Sequence, residues 1–343
     1  MSLEFNKNFD ILLKKINIIA KKSNKQTGII LNSNIKKLKT LPILLPIKKT
    51  PYLICLGITI FEKKSVIDIL KKIDGNVNYV LVDGEQKNKK LFDLIKIIKK
   101  NIVKSEILTY KTNDFTAESA DVFLQHLVDF SKKKKIAIIG AGNIGSKLAL
   151  KLVERGLDVY ISRRRYVDSI KIEKALNLIK PKSCTSKVIA KTNTEIAQNC
   201  DILICFSNTP TINKKFVSQM SKNGIIIDGG IGTIKQDAIS LTHEKNIKII
   251  RLDIRAGLSG TITTLIETKE LLNETMGFKK INNVQTVAGG FYGELGNVVI
   301  NSISSPTEII GIADGNGGLI REKYSLSDKK NLQTIDSWIK KNS

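Results

Sequence analysis

Residues 135–165 decide the fold of this chain and read KIAIIGAGNIGSKLALKLVERGLDVYISRRR. An apolar run, IAIIG, leads directly into Gly140, Gly142 and Gly145, which have G-x-G-x-x-G spacing. An amphipathic segment follows and ends at Gly156, and a second apolar run, DVYIS, comes next. Three glycines at this spacing occur often by chance, so the complete order of strand, glycine turn, helix and strand carries the interpretation.

Each glycine in this turn has a physical task. Gly140 permits the tight turn out of the strand, Gly142 lets the backbone approach a pyrophosphate, and Gly145 lets the helix lie close to the sheet. The helix N-terminus offers free N–H groups and a partial positive charge to phosphates. The sequence therefore predicts a Rossmann-type dinucleotide site at Gly140, Gly142, Asn143, Ile144 and Gly145, against the alternative of a glycine turn that holds no ligand.

The end of the second strand indicates which dinucleotide is bound. NAD enzymes usually place an Asp or Glu there for the adenosine ribose, whereas this chain has Ser162, Arg163, Arg164 and Arg165. A planar guanidinium can bind a 2′-phosphate bidentately. We therefore expect NADP (NADPH) as the cofactor, with Ser162, Arg163 and Arg164 in its site. The alternative is a solvated basic turn.

Three later loops also follow apolar, strand-like runs. In open α/β sheets, ligands bind at the carboxyl ends of the strands, so these loops are expected to border the nicotinamide. The residues concerned are Ser207, Asn208 and Thr209 in the first loop, Asp228 and Gly230 in the second, and 253–257 in the third. Ordinary turn chemistry is the alternative for each of them.

The rest of the chain predicts an α/β protein: a Rossmann doubly wound parallel sheet preceded by a smaller α/β catalytic domain. Residues 5–22 have helical spacing, a polar stretch punctuated by Pro42, Pro46 and Pro51 follows, and strand-like and helix-like runs then alternate to a helix at about 116–130. We expect domains at 1–131 and 132–285, with a C-terminal segment, 286–343, that packs back on the first domain. Helices are predicted over 261–278 and from about Asn297.

The net charge of +24 would ordinarily suggest nucleic acid or an anionic membrane surface. However, only seven of the 56 basic residues are Arg, and the lysines are spread along the chain beside many Asn and Ile residues. An AT-rich coding sequence would produce this bias, and Lys is a solvated point charge rather than a bidentate phosphate reader. We favour that explanation over a polyanionic partner.

The cellular location is expected to be cytoplasmic. The N-terminus has no apolar signal region, and no stretch reaches the roughly 18 apolar residues of a membrane span. Cys55, Cys184, Cys200 and Cys205 have no CxxC spacing, so we expect buried thiols and no metal site.

The order of parts resembles the amino-acid dehydrogenase-like two-domain enzymes, the group of shikimate dehydrogenase and methylenetetrahydrofolate dehydrogenase. The segment 111–114, KTND, is similar to the Asn-Thr-Asp segment of shikimate dehydrogenases, and only Asp114 matches cleanly. IIDGGIGT (226–233), RLDIRAG (251–257) and TVAGGFYGELGN (286–297) follow the order of late motifs in the folate enzymes. The catalytic Lys motif of either family is not found in residues 50–95, nor is the folate enzymes' Pro-Gly-Gly-Val-Gly-Pro string at 288–296.

The resemblance implies that Asp114 binds substrate and assists proton transfer. Lys111 is a second candidate, although a straight strand would point it away from Asp114. Arg255 and Tyr292 are weaker candidates for binding an anionic substrate. Asp83, Glu85 and Lys87 form a further polar cluster, for which a solvated loop is the alternative. His126 and His243 are expected to be structural.

Together these observations predict an NADP-dependent oxidoreductase, a dehydrogenase that transfers hydride to or from a small polar metabolite in an interdomain cleft. The alternatives are a glutamyl-tRNA reductase-like enzyme and a non-catalytic NADP-binding regulatory protein. Neither a nucleic acid nor a membrane is expected as a partner, and a homodimer is left open.

Overall fold

A computed structural model describes residues 2–33, 41–85, 92–129, 134–321 and 323–342. The chain divides into two compact units, residues 1–261 and residues 262–343. The first unit contains two sheets and the second contains one. None of the described helices is long and apolar enough to cross a membrane.

The first sheet is built by the N-terminal part of the chain. Its elements are α1 (Leu3–Lys22), β1 (Gln26–Ser33), β2 (Ile43–Leu44), β3 (Lys48–Lys49), β4 (Leu53–Ile60), α2 (Lys63–Ile73), β5 (Tyr79–Asp83), α3 (Leu94–Asn101), β6 (Glu106–Tyr110) and α4 (Thr112–Leu127). The order is β2-β4-β1-β5-β6, with β3 also on β4. Strands β4, β1, β5 and β6 are parallel, whereas β2 and β3 pair antiparallel to β4.

The central strand of this sheet corrects the expectation of a polar connecting stretch after the first helix. β1 contains the apolar run GIIL, and Ile29 and Leu31 are fully buried in one core with α1, α2 and α3. Four apolar residues between Lys-rich and Pro-rich flanks give too short a pattern for the sequence to separate a buried strand from a loop. Pairing with β4 and β5 on both sides decides the matter.

The second sheet is the predicted Rossmann sheet. Its elements are β7 (Ile136–Ile139), α5 (Asn143–Glu154), β8 (Val159–Ser162), α6 (Tyr166–Ile179), β9 (Val188–Ala190), β10 (Ile202–Cys205), α7 (Lys214–Gln219), β11 (Ile225–Asp228), α8 (Gln236–Glu244) and β12 (Lys248–Arg251). All six strands are parallel in the order β12-β11-β10-β7-β8-β9, which confirms the predicted α/β class. The strand order reverses between β7 and β10, so a ligand crevice is expected at their carboxyl ends.

The chain continues through α9 (Arg255–Glu270) and a π-helical turn (Leu271–Thr275). The second unit then forms a four-stranded sheet, β13-β14-β15-β16, from β13 (Gly277–Ile281), β14 (Val284–Ala288), β15 (Val298–Ile300) and β16 (Ile309–Ile312). Helix α10 (Leu326–Asn342) packs on this sheet through Ile335 and Ile339.

One predicted helix is therefore wrong in part, and another is wrong. The segment 261–278 is helical only to Thr275, and a strand starts at Gly277. The segment from Asn297 is a strand, because Val298 and Val299 pair with β14 on one side and β16 on the other. A short run of β-branched residues without a helical period does not distinguish a helix from a strand, so the pairing with neighbouring strands decides between them.

One predicted domain boundary falls on residues that the structure does not describe, and the other falls inside a strand. The boundary at 131 and 132 lies outside the described residues, as do Phe130 at the predicted helix end and Lys132 and Lys133 of the Lys132–Lys135 run. The boundary between 285 and 286 falls within β14.

Candidate functional site

The glycine turn after β7 has the geometry of a dinucleotide cradle. Gly140 has a φ of +82°, which favours glycine, and its N–H donates to the Ser162 carbonyl over 3.0 Å. A Cβ on Gly145 would lie 2.7 Å from the Gly140 carbonyl oxygen, so only glycine lets α5 approach the turn this closely. Gly142 is uncrowded and caps α5 without a side-chain hydrogen bond, so the helix N-terminus is open to an anion.

The loop after β8 carries three exposed arginines in two different states. Arg165 donates to both carboxylate oxygens of Asp168, over 2.9 and 3.0 Å, and this hydrogen bonding lowers the pKa of Asp168. Within the described ranges, the guanidinium groups of Arg163 and Arg164 make no hydrogen bond or ion pair. The Arg163 charge also interacts with Asp168 without a hydrogen bond, so Arg163 and Arg164 both keep their hydrogen-bond donors for a ligand anion.

A cleft of about 600 Å³ joins the glycine turn to this arginine loop. It opens at the carboxyl ends of β7, β8 and β10, the place where the strand order reverses. Its lining residues are Ile139, Gly140, Gly142, Arg163, Arg164, Arg165, Asp168, Asn193, Phe206, Ser207, Asn208, Thr209 and Thr211. Seven predicted cofactor residues are thus brought together: Gly140, Gly142, Arg163, Arg164, Ser207, Asn208 and Thr209.

The other predicted cofactor residues do not line this cleft. Asn143, Ile144 and Gly145 form the first turn of α5 behind the glycine turn. The Ser162 side chain is fully buried, and its hydroxyl has no partner among the described residues, while its carbonyl accepts from Gly140 and Ala141. Ser162 therefore holds the glycine turn through its backbone.

The loop after β11 supports the cleft wall from behind. The Asp228 carboxylate accepts from the Gly232 N–H over 2.7 Å and from the Thr233 hydroxyl over 2.9 Å. A Cβ on Gly230 would collide with the Ser207 carbonyl oxygen, so Gly230 allows this loop to touch the cleft-lining loop at Ser207. Both residues shape the site rather than line it.

Asp114 lies at the contact between α4 and α5. Its carboxylate binds Lys147 and, at 3.3 Å, Lys111, and the hydrogen bond from Lys147 is the largest cause that lowers the pKa of Asp114. Lys111 and Asp114 meet because the strand ends at Tyr110 and α4 begins at Thr112 rather than near Thr116, which supplies the bend that the pair requires. Glu85 explains the early start, since its carboxylate accepts from the Asn113 N–H over 3.1 Å.

Two further ion pairs continue from Asp114 along the same contact. Glu118 binds Lys151 at 2.5 Å, and buried Asp121 binds Arg155 bidentately at 2.7 Å for both hydrogen bonds. We call the three pairs, Asp114–Lys147, Glu118–Lys151 and Asp121–Arg155, the α4–α5 ladder. It fixes α4 to the Rossmann helix that begins at the cofactor turn.

Arg255 is also engaged by a carboxylate. Its guanidinium binds Asp253 at 2.5 to 3.0 Å, and its side chain is 80% exposed. The hydrogen bond from Arg255 is the largest cause that lowers the pKa of Asp253, and the charge of Lys48 lowers it further. Burial lowers the pKa of Lys48 itself. Arg255, Asp114 and Lys111 lie outside the cleft described above.

Other predicted polar residues have local roles or fall outside the description. Asp83 is buried and accepts from the Glu85 N–H over 3.0 Å, while Lys87 lies outside the described residues. His126 and His243 lie in the last turns of α4 and α8. Cys55, Cys200 and Cys205 are buried free thiols and Cys184 is half-buried. Over the described ranges, His, Cys, Asp and Glu form no group that could hold a metal ion.

Sequence reasoning missed several cleft residues, of which Asn193 is the most informative. It follows β9, a three-residue strand that the sequence did not reveal, and its Oδ1 is buried with no partner among the described residues. Asp168 could have been found, because Arg165 and Asp168 stand three residues apart at the start of a helix.

Comparison with known families supports the nucleotide site. A family model described as NADP oxidoreductase, coenzyme F420-dependent, matches residues 135–231, less than a third of the chain. This range includes the glycine turn, the arginine loop and every residue that lines the cleft. The match and the geometry together support a nicotinamide-type cofactor at this site. No curated protein sequence matches the chain.

The chain is also similar, at low identity, to solved structures of shikimate dehydrogenases and a dipicolinate synthase. A shikimate dehydrogenase in complex with NADP⁺ is 13% identical, with 71% of this chain and 91% of that chain covered and a TM-score of 0.42. The shikimate 5-dehydrogenase of Thermus thermophilus, in complex with NADP(H) and shikimate, is 12% identical (71% and 94% covered, TM-score 0.41). A dipicolinate synthase polypeptide from Bacillus halodurans is also 12% identical (71% and 97% covered, TM-score 0.38).

Proposed function

We propose that this protein is an NADP-dependent dehydrogenase that acts on a small polar metabolite held between the two sheets of its first unit. The observation that carries the proposal is the cleft itself, in which a glycine cradle and two uncommitted arginines face the same space. NADP, when bound, would supply or accept the hydride.

The residues of the cleft fit the parts of NADP in order. The open N-terminus of α5 at Gly142 suits a pyrophosphate, because its N–H groups have no side-chain cap. Arg163 and Arg164 suit the 2′-phosphate, since a guanidinium binds phosphate through two parallel hydrogen bonds. Ser207, Asn208 and Thr209, on the β10 side of the cleft, suit the nicotinamide end.

Asp114 is the residue that we propose to act on the substrate. Because Lys147 and Lys111 hold the pKa of Asp114 below its usual value, Asp114 is a carboxylate near neutral pH. It would therefore bind the substrate or accept a proton from it, rather than donate a proton. Lys147 lies about one helical turn after Asn143 on α5, so the Asp114 carboxylate pairs with a side chain of the helix that begins at the cofactor cradle. Lys111 would hold this carboxylate, and Arg255 would bind an anionic group of the substrate.

The first test is a titration of the full chain with NADPH and with NADH, read by the fluorescence of the reduced nicotinamide. We expect the double variant Arg163→Ala/Arg164→Ala to bind NADPH about 10- to 100-fold more weakly, because a hydrogen bond to a charged group contributes roughly 1.5–3 kcal/mol. Its NADH affinity should change by less than about threefold, since NADH lacks the 2′-phosphate.

The matched control is Lys214→Ala/Lys215→Ala, which removes two exposed charges from α7, outside the cleft. This control should leave both affinities unchanged. An equal loss of NADPH affinity in the control would show that bulk charge, and not the arginine loop, attracts the cofactor. Failure of the unaltered protein to bind either nucleotide would overturn the proposed function.

A further inference from the structure

The second unit carries an exposed apolar surface on loops and strands that the nucleotide site does not use. Phe291, Ile310 and Leu319 line a small cavity of about 180 Å³, together with Val299 and six small residues, Ala288, Gly290, Gly293, Ala313, Gly317 and Gly318. The Phe278 ring meets the Phe291 ring edge-on, with their centroids 5.3 Å apart. The side chains of Phe278, Phe291 and Ile310 are each about half exposed.

The same surface continues over the neighbouring glycine-rich loops. The Tyr292 ring packs on Gly317, and Leu295 packs on Gly315. Tyr292 and Leu295 are each 72% exposed. We call Phe278, Phe291, Tyr292, Leu295, Ile310 and Leu319 the apolar face. Contiguous exposed apolar surface of this kind marks an interaction site in a folded protein, whereas single exposed apolar residues need no explanation.

The charge pattern indicates what covers this face. Residues 281–320 contain no Lys and no Arg, although the whole chain contains 56 of them. Three acidic residues, Glu294, Glu308 and Asp314, are the only charged residues of this segment. Two molecules of net charge +24 repel each other, so a second copy approaches most easily where basic residues are fewest. Lys279, Lys280 and Arg321 stand at the two ends of the segment, and the Arg321 charge is offset by Asp314. An acidic partner would instead be drawn to the lysine-bearing surfaces elsewhere.

We propose that the apolar face is the contact surface of a homodimer. Of the 40 residues of this lysine-free segment, 27 are exposed or half-buried, a number within the roughly 20–30 residues per side of an interface of standard size. The exposed aromatic residues Phe278, Phe291 and Tyr292 are of the types enriched at interface cores. In a symmetric dimer the same face meets itself, so the contact closes at two copies.

The test is the solution mass of the full chain, measured by light scattering after size exclusion or by sedimentation equilibrium at several concentrations. We expect a mass of twice 38.1 kDa. The double variant Tyr292→Lys/Leu295→Lys places two lysines on the face without removing a buried side chain, and should weaken the dimer by at least about tenfold. The control Leu178→Lys alters a side chain that is 83% exposed on α6 and should remain dimeric.

The salt dependence of the dimer is a second test, because salt would weaken a dimer that is held together by ion pairs. Raising the salt from about 0.1 M to about 0.5 M should strengthen the dimer, because salt screens the repulsion between the two basic chains. A monomeric unaltered protein would overturn the proposal, as would a double variant that is folded by circular dichroism and still dimeric. Weakening by salt, or growth beyond two copies with concentration, would also overturn it.

Discussion

The arginine loop after β8 and the α4–α5 ladder each contain three basic side chains, but the two regions differ in how many of these are paired with a carboxylate. In the ladder, Lys147, Lys151 and Arg155 each meet a carboxylate of α4. In the loop, only Arg165 meets a carboxylate, while Arg163 and Arg164 face the cleft without one over the described ranges. In a chain of net charge +24, a ligand site is therefore recognised by charge that remains unpaired in a concave surface, and not by the presence of charge.

The comparison implies that changes at the cleft alter binding, whereas changes at the ladder alter stability. The largest effect is expected at the glycine turn that both regions adjoin through α5. Gly145→Val should abolish nucleotide binding, a loss of more than about 100-fold, because its Cβ would lie 2.7 Å from the Gly140 carbonyl oxygen and push α5 away. Overpacking of this kind also costs about 1–3 kcal/mol of stability.

The control for this variant is Gly260→Ala, a helical position where an added Cβ meets no atom within 4 Å. It should bind NADPH normally and be as stable as the unaltered protein or slightly more so. Calorimetric titration with NADPH together with thermal unfolding checks both variants. Normal NADPH binding by folded Gly145→Val would show that the cradle does not hold the pyrophosphate.

The ladder offers the next largest effect, on stability alone. Asp121→Ala should lower the free energy of unfolding by about 1–3 kcal/mol, because Asp121 is buried and its two hydrogen bonds to Arg155 are lost. The Arg155 side chain is 39% exposed, so water can solvate the released charge and keeps the cost below that of a fully buried pair.

Denaturant unfolding measures this loss, and NADPH affinity provides the contrast. The Kd for NADPH should stay within about threefold of the unaltered protein when both are measured well below their unfolding temperatures. A variant that is as stable as the unaltered protein but binds NADPH poorly would reverse the assignment of roles to the two regions.

The smallest expected effect is the pH dependence of stability that arises from Asp114–Lys147, the exposed pair of the ladder. The hydrogen bond from Lys147 lowers the pKa of Asp114 in the folded protein, so the stabilisation is present above the pKa of the unfolded chain, about 4, and is lost as the pH falls through the lower folded value. The Asp114 side chain is 44% exposed, so water screening limits the contribution to about 0.5 kcal/mol.

Asp114→Asn should therefore lower the stability by that small amount above about pH 4 and leave it nearly unchanged below the pKa of the folded protein, so that stability falls less steeply as the pH falls. Thermal unfolding across this pH range provides the measurement. The same variant also tests the proposed role on the substrate, because a carboxylate that binds substrate or accepts a proton should show a loss of turnover far larger than its loss of stability.

Local sequence was informative wherever one short segment contained the whole signal. The strand, glycines and helix of residues 136–154 predict their own arrangement, because the turn needs glycine at fixed positions and the flanking runs have clear periods. The arginines after β8 are equally local. For this reason Gly140, Gly142, Arg163 and Arg164 were predicted and are found around one cleft.

Features that depend on distant parts of the chain were not accessible in the same way. The strand character of β1 rests on pairing with β4 and β5, the start of α4 rests on Glu85, and the place of Asn193 rests on a three-residue strand beside β8. The sequence by itself determined the nucleotide-binding fold and the chemistry of its loops, because those are set by backbone freedom and periodicity over a few residues. Only the tertiary structure decided which charges are paired and which remain free, because an ion pair depends on side chains that approach from separate elements.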